Sequence, residues 1–213
     1  MELVAGGARR ARRRLPFLPL ALVLAGLAMI VAFFADMAIS ARHQAALNSS
    51  WQHTLAVSAP PATPAGPVVT PAPVDGVDFA IRVAKVGYYA AVQEGVDLNV
   101  LASGPGHYPA TPWPGQPGNV GVAAHNTYWI KFSDVQPGDE IDLETRYGTY
   151  KYVVTGSKIV WPDDRTALAP KPGKQLTLTT CWPLWAGAFA QQRLAIFASQ
   201  VFPKQTQGGG QNS

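Results

Sequence analysis

The run from Leu15 to Ala35 places the tightest limit on how this chain can fold. It is 21 residues long and carries no charge. As a helix rising about 1.5 Å per residue, it is long enough to cross a bilayer core of roughly 30 Å. Pro16 and Pro19 fall near its start, where a helix tolerates proline best. Arg9, Arg10, Arg12, Arg13 and Arg14 come before it. That cluster predicts residues 1–14 on the cytoplasmic side and the rest of the chain outside. A cleaved signal peptide is the rival reading, and Ala38-Ile39-Ser40 has the small-x-small form of a cleavage site. Signal peptides usually carry a shorter apolar region, about 7–15 residues, so the length favours a retained single-pass anchor over residues 15–35.

Setting this segment aside changes what the charge means. Residues 1–35 hold five Arg and one acid, whereas residues 36–213 hold twelve Lys or Arg and twelve Asp or Glu. The net charge of +4 therefore belongs to the membrane end and not to the remaining domain. No basic stripe is left there, which argues against a nucleic-acid partner. Residues 36–77 read as stalk and linker. Asp36 to about Val57 is mixed and extends the membrane helix, and Ser58–Val74 is a semi-rigid spacer rich in Pro, Ala and Thr. Residues 204–213 form a tail disordered by composition. The folded unit expected is 78–203.

Within it the pattern is one of short strands and turns. Phe79–Val83, Val86–Val92, Val120–Ala124, Glu140–Glu144 and Thr149–Val160 read as strands, and Asp97–Ala102 as one helical turn. Gly104–Gly118 is dense in Gly and Pro and reads as loop. Many short strands with little helical periodicity indicate an all-β domain, a closed or nearly closed β-barrel. Two further runs, Gln175–Thr180 and Arg193–Ala198, alternate with period two. Leu176 and Leu178 mark one face of the first, so Cys181 projects from the other. Leu194 and Ile196 mark one face of the second, so Arg193 projects opposite to them. If both leucine faces enter one core, thiol and guanidinium emerge on the same side of the sheet.

Cys181 is the sole cysteine, so no internal disulfide exists, and an odd thiol outside the membrane is either reactive or an intermolecular linker. A cysteine at a strand end with a fixed cation on the next strand suits a nucleophile and an oxyanion partner. The competing view is an inert buried thiol and a surface Arg. A thiol nucleophile also needs an acid/base titrating near neutrality. His43 and His53 lie in the stalk. His107 sits in the Gly/Pro loop, where it makes local hydrogen bonds or lines a groove. His125 ends the run Val120–Ala124 on a regular support and is the better candidate.

These residues resemble the sortases, membrane-anchored cysteine transpeptidases of bacterial surfaces. LTLTTC ending at Cys181 is similar to their TLxTC signature. GPGHYP at Gly104–Pro109, PGQPGNV at Pro114–Val120, AAH at Ala123–His125, PGDEI at Pro137–Ile141 and RLAIFA at Arg193–Ala198 resemble further blocks in family order. The Gly/Pro loop and PGDEI are most similar to the class D, E and F groupings. The resemblance implies an eight-stranded sortase-type barrel with Cys181 as nucleophile and His125 as acid/base. Arg193 would stabilise the oxyanion or position substrate, and Thr180 would help shape the substrate site. It implies no cofactor, and no motif here matches the calcium sites of some sortases.

The implied partners are secreted proteins with a C-terminal sorting signal and an amine acceptor on peptidoglycan or a pilin. Hydrolysis of the thioester, or a catalytically silent binding module, are the alternatives. Two departures stand out. Ala124 replaces the usual Gly before the histidine, and Asn126 follows it where Arg is frequent. Trp182, Trp185 and Phe189 make the segment after the cysteine aromatic; they either pack to close the barrel or wall an apolar groove.

Overall fold

The expected alternation of Leu, Ile, Val and Tyr along short runs becomes a closed barrel of eight strands in the computed structural model, which describes residues 17–61 and 71–203. The arginine cluster, most of the Pro-rich spacer and the C-terminal tail lie outside the described residues. The strands are β1 Val77–Val83, β2 Tyr88–Glu94, β3 Gly106–His107, β4 Gly118–Ala124, β5 Glu140–Thr145, β6 Gly148–Val160, β7 Lys174–Trp182 and β8 Gln192–Phe202. Around the barrel they run β1-β2-β3-β4-β7-β8-β6-β5. Most neighbours are antiparallel; β4 lies parallel to β7, and β3 parallel to β2.

Period-two burial decides which side chains fill the barrel. Ile141 and Leu143 of β5, Tyr150, Tyr152 and Val154 of β6, Leu176 and Leu178 of β7, and Leu194, Ile196 and Ala198 of β8 are all buried in one core. Two elements differ from the sequence expectation. The second strand starts at Tyr88 and not Val86, because Gly87, at φ 64, closes a 3-10 turn over Ala84–Val86. Inside the expected loop Gly104–Gly118 lies β3. Its two residues pair with Gln93 and Glu94 on one side and with Val122 and Ala123 on the other. A two-residue strand leaves no alternation to read, yet it joins β2 to β4 and so completes the barrel.

Helix α1 runs Phe17–Ser58, and the chain divides into two compact units after Ile39. The first part is long and apolar enough to cross a membrane, with a window of mean hydropathy 2.6 and no buried residue in it. The second part, from Ser40, belongs to the barrel unit. There Gln44 and Trp51 are buried, and Leu47 and Leu55 pack on the core. These positions repeat at helical spacing and form one stripe.

Gln44 Nε2 donates to the Ala91 carbonyl at 3.2 Å, and the Ala91 N–H donates to Asn48 Oδ1 at 2.7 Å. Ala91 sits in β2 beyond the reach of β3, so the helix satisfies backbone groups the short strand leaves open. Gly104 leaves room for the Gln44 carboxamide, which a Cβ there would displace. The stretch read from sequence as stalk thus packs, over Gln44–Leu55, on the part of β2 that β3 leaves uncovered.

Candidate active site

Strand register alone brings three of the predicted residues to one rim. Cys181 pairs with Arg193 across β7 and β8, and Thr180 pairs with both Leu194 and Ala124. Facing residues in such a pair lie about 4.5–5.5 Å apart at Cα. His125 follows Ala124, so it leaves β4 beside the position where Cys181 leaves the core of β7. Val160, the last residue of β6, pairs with Arg193 on its other side. The ends of β4, β7 and β6 and the start of β8 therefore share one end of the barrel.

Strand parity, with Leu176 and Leu178 in the core, sets the face. Leu176, Leu178 and Thr180 point inward, and Thr177, Thr179 and Cys181 outward. The outward threonines are nonetheless buried, because the connection between β6 and β7 lies over them. Thr177 Oγ1 donates to Asn119 Oδ1 at 2.9 Å, and Asn119 Nδ2 donates to the Ala167 and Ala169 carbonyls at 3.1 and 3.2 Å. This connection forms one bank beside the rim. The segment Leu184–Phe189 between β7 and β8 forms the other.

His125 and Cys181 are both half-buried. Burial lowers the pKa of His125 below its ordinary value, and the positive charge of Arg193 lowers it further. Both effects favour the neutral ring, the form that can accept a proton. Arg193 is itself held by donating from Nη1 to the Gln192 carbonyl at 3.0 Å.

The three residues expected around the substrate separate in the structure. Trp182 is half-buried and lines an open groove of about 310 Å³ with Trp161, Pro183, Phe189, Gln191 and Gln192. Trp185 and Phe189 are 82% and 89% exposed, so neither closes the barrel; Leu184 is the buried residue of that segment. Thr180 is 3% exposed with its hydroxyl buried and without a hydrogen-bond partner among the described residues, on the inward side of β7.

Of the two roles expected for His107, the structure shows local hydrogen bonding and not the lining of a groove. It is 1% exposed, its Nδ1 lies 2.7 Å from Asp78 Oδ2, and Phe79 and Trp113 pack edge-on against the ring. Its Nε2 meets the Pro112 carbonyl at 3.2 Å and Thr111 Oγ1 at 3.1 Å. The proline carbonyl can only accept, and Thr111 donates its own proton to the Tyr108 carbonyl, so Nε2 is a donor to both. His107 has no surface to offer a substrate; it pins the Gly/Pro loop from beneath.

That loop carries a residue the sequence did not single out. Tyr108 Oη bonds Thr179 Oγ1 at 3.0 Å, and both line a cleft of about 80 Å³ with Arg193, Val160 and Leu168. Tyr108 directly follows His107, but only the folding of β3 onto β4 brings it over β7. Among the described residues, no three His, Cys, Asp or Glu side chains gather closely enough to hold a metal ion.

Comparison with known proteins agrees with the fold. The sortase-domain family profile matches residues 81–201, more than half of the chain. The chain belongs to the sortase family. It is similar to sortase D of Bacillus subtilis strain 168, with 28% identity over 57% of this chain and 62% of that protein, so the match spans less than two thirds of its curated relative. Among solved structures, the barrel resembles a sortase D5 transpeptidase of Clostridium perfringens, with 27% identity, a TM-score of 0.53, and 59% and 79% of the two chains covered. Sortase E of Streptomyces avermitilis is similarly alike, at 29% identity and TM-score 0.52 over 61% and 90%. Membership of this family accounts for the closed eight-stranded barrel.

Proposed function

We propose that this sortase is a membrane-anchored cysteine transpeptidase acting on the outer side of the cell membrane. Its substrates are secreted proteins with a short C-terminal sorting motif. Cys181 passes its thiol proton to His125 as Sγ attacks the carbonyl carbon of a threonine in that motif. The C–N bond breaks, His125 delivers that proton to the departing amine, and the acyl group remains on sulfur as a thioester. An amine of peptidoglycan, or a pilin lysine, then attacks the thioester carbonyl. It gives up a proton to His125, the C–S bond breaks, His125 returns the proton to Sγ, and the joined product leaves.

Arg193 places a permanent charge where the tetrahedral oxygen develops. Trp161, Trp182 and Phe189 offer an apolar wall to the motif, and Thr180 shapes the strand end from the inner side. The anchor confines the enzyme to the surface where its substrates emerge, which raises effective concentration without any new contact.

The pairing of Cys181 with Arg193, with Arg193 acting in turn on the imidazole of His125, carries this reading. A silent binding module has no need of that combination. The test is cleavage of a sorting-peptide library by the full chain, with and without an added amine. Wild type is expected to yield amide product when the amine is present, and Cys181→Ala to yield none. Cleavage retained in Cys181→Ala refutes the assignment, and hydrolysis unaffected by the amine identifies a peptidase instead.

A further inference from the structure

We infer that Asn126 is a positioning residue that fixes the groove wall to the strand end bearing His125; the inference rests on the function proposed above. Asn126 is only 3% exposed, and its Nδ2 donates to the Gly187 carbonyl at 3.2 Å. Gly187 lies in the middle of the segment Leu184–Phe189 and breaks it with φ 54 and ψ −128, a conformation natural to glycine. The same carbonyl accepts from the Ala190 N–H at 3.4 Å. On either side, Trp185 and Phe189 stand free of the barrel. The segment therefore rests on buried Leu184 at one end and on the Asn126 bond at its middle.

The other end of this bond is rigid. The Tyr128 N–H donates to the His125 carbonyl at 3.0 Å and the Trp129 N–H to the Asn126 carbonyl at 3.2 Å. Trp129 is fully buried and stacks on Phe132 with ring centroids 4.5 Å apart. One turn, immobilised by an aromatic pair, thus carries both the acid/base and the loop tether. Trp182, Pro183, Phe189, Gln191 and Gln192 line the groove from the tethered side. Where the motif lies relative to the imidazole depends on this one amide. Such placement matters because reaction geometry tolerates only about 0.5 Å of error.

The experiment uses the full chain with Asn126→Ala, Asn126→Asp and Gly187→Ala. Aspartate keeps the shape of asparagine but turns an oxygen toward the Gly187 carbonyl, so it separates hydrogen bonding from packing. At Gly187 an added methyl meets open space, so that variant disturbs only the backbone turn. Amide exchange over residues 184–190 is expected to quicken about tenfold in both Asn126 variants, as a tethering bond is lost. With sorting peptides, KM is expected to rise about tenfold in all three variants while kcat changes less, the mark of a groove wall that no longer holds the motif in place for binding. Unchanged exchange in Asn126→Ala, or wild-type behaviour in Asn126→Asp, overturns the tether. Quickened exchange with an unchanged KM overturns the positioning role. Should wild type turn over no peptide, the preceding proposal falls, and the exchange result still decides the tether.

Discussion

Replacing Trp51 with alanine asks whether the helical segment after Ile39 is a spacer or a part of the barrel. Trp51 is 2% exposed, and truncating a buried tryptophan costs about 3–5 kcal/mol. Its indole N–H is buried without a hydrogen-bond partner among the described residues, and removing an unsatisfied donor offsets about 1–3 kcal/mol of that cost. Taking the middle of each range, the net expected loss is about 2 kcal/mol. For a unit of this size each kcal/mol moves Tm by about 2–4 °C, so the fall should be about 4–8 °C. The assay is thermal unfolding of the full chain in detergent, followed by near-ultraviolet circular dichroism. His53→Ala is the control, since His53 is exposed on the same helix. An exposed spacer residue changes stability by only about 0.5 kcal/mol, so a shift of Trp51→Ala within about 2 °C of the control refutes the packing argument.

Three other outcomes follow from the same contacts. Arg193→Gln removes a positive charge that disfavours the imidazolium, so the pKa of His125 should rise toward its ordinary value, and the acid limb of the pH–rate profile should move to higher pH. Arg193→Lys keeps the charge and should leave that limb in place while lowering turnover sharply, because the planar fork is lost; wild-type rates in Arg193→Lys would remove the residue from the mechanism. His107→Ala strands the Asp78 carboxylate in the core and should cost about 3–5 kcal/mol by denaturant titration, with the kcat of the surviving folded protein little changed. A chain shortened to begin at Ser40 should keep wild-type stability, whereas one beginning at Asp75 loses the Trp51 packing and the Ala91 hydrogen bonds and should melt at least as early as Trp51→Ala.

Much of the site was legible because strands expose their parity in sequence. Leu176 and Leu178 against Leu194 and Ile196 were enough to turn Cys181 and Arg193 to a common face, and the observed register pairs them directly. Burial of the outer threonines was not legible, since Thr177 and Thr179 look like solvent-facing residues until the β6–β7 connection covers them. The helix after Ile39 did leave a signal in Leu47, Trp51 and Leu55, spaced four residues apart. It was obscured by the polar residues Gln44 and Asn48, whose partners are backbone groups of a strand more than 40 positions away.

By itself the sequence determined the long apolar N-terminal segment and the all-β character of the domain, since composition and short-range periodicity act within a few residues. Only the tertiary structure decided that His107 is a buried partner of Asp78, that Tyr108 reaches Thr179, and that Asn126 holds Gly187. Each of these is a hydrogen bond between residues 29 to 71 positions apart, and nothing local in the chain encodes it. Such bonds exist because barrel closure buries polar atoms together, and buried polar atoms must find partners wherever the fold supplies them.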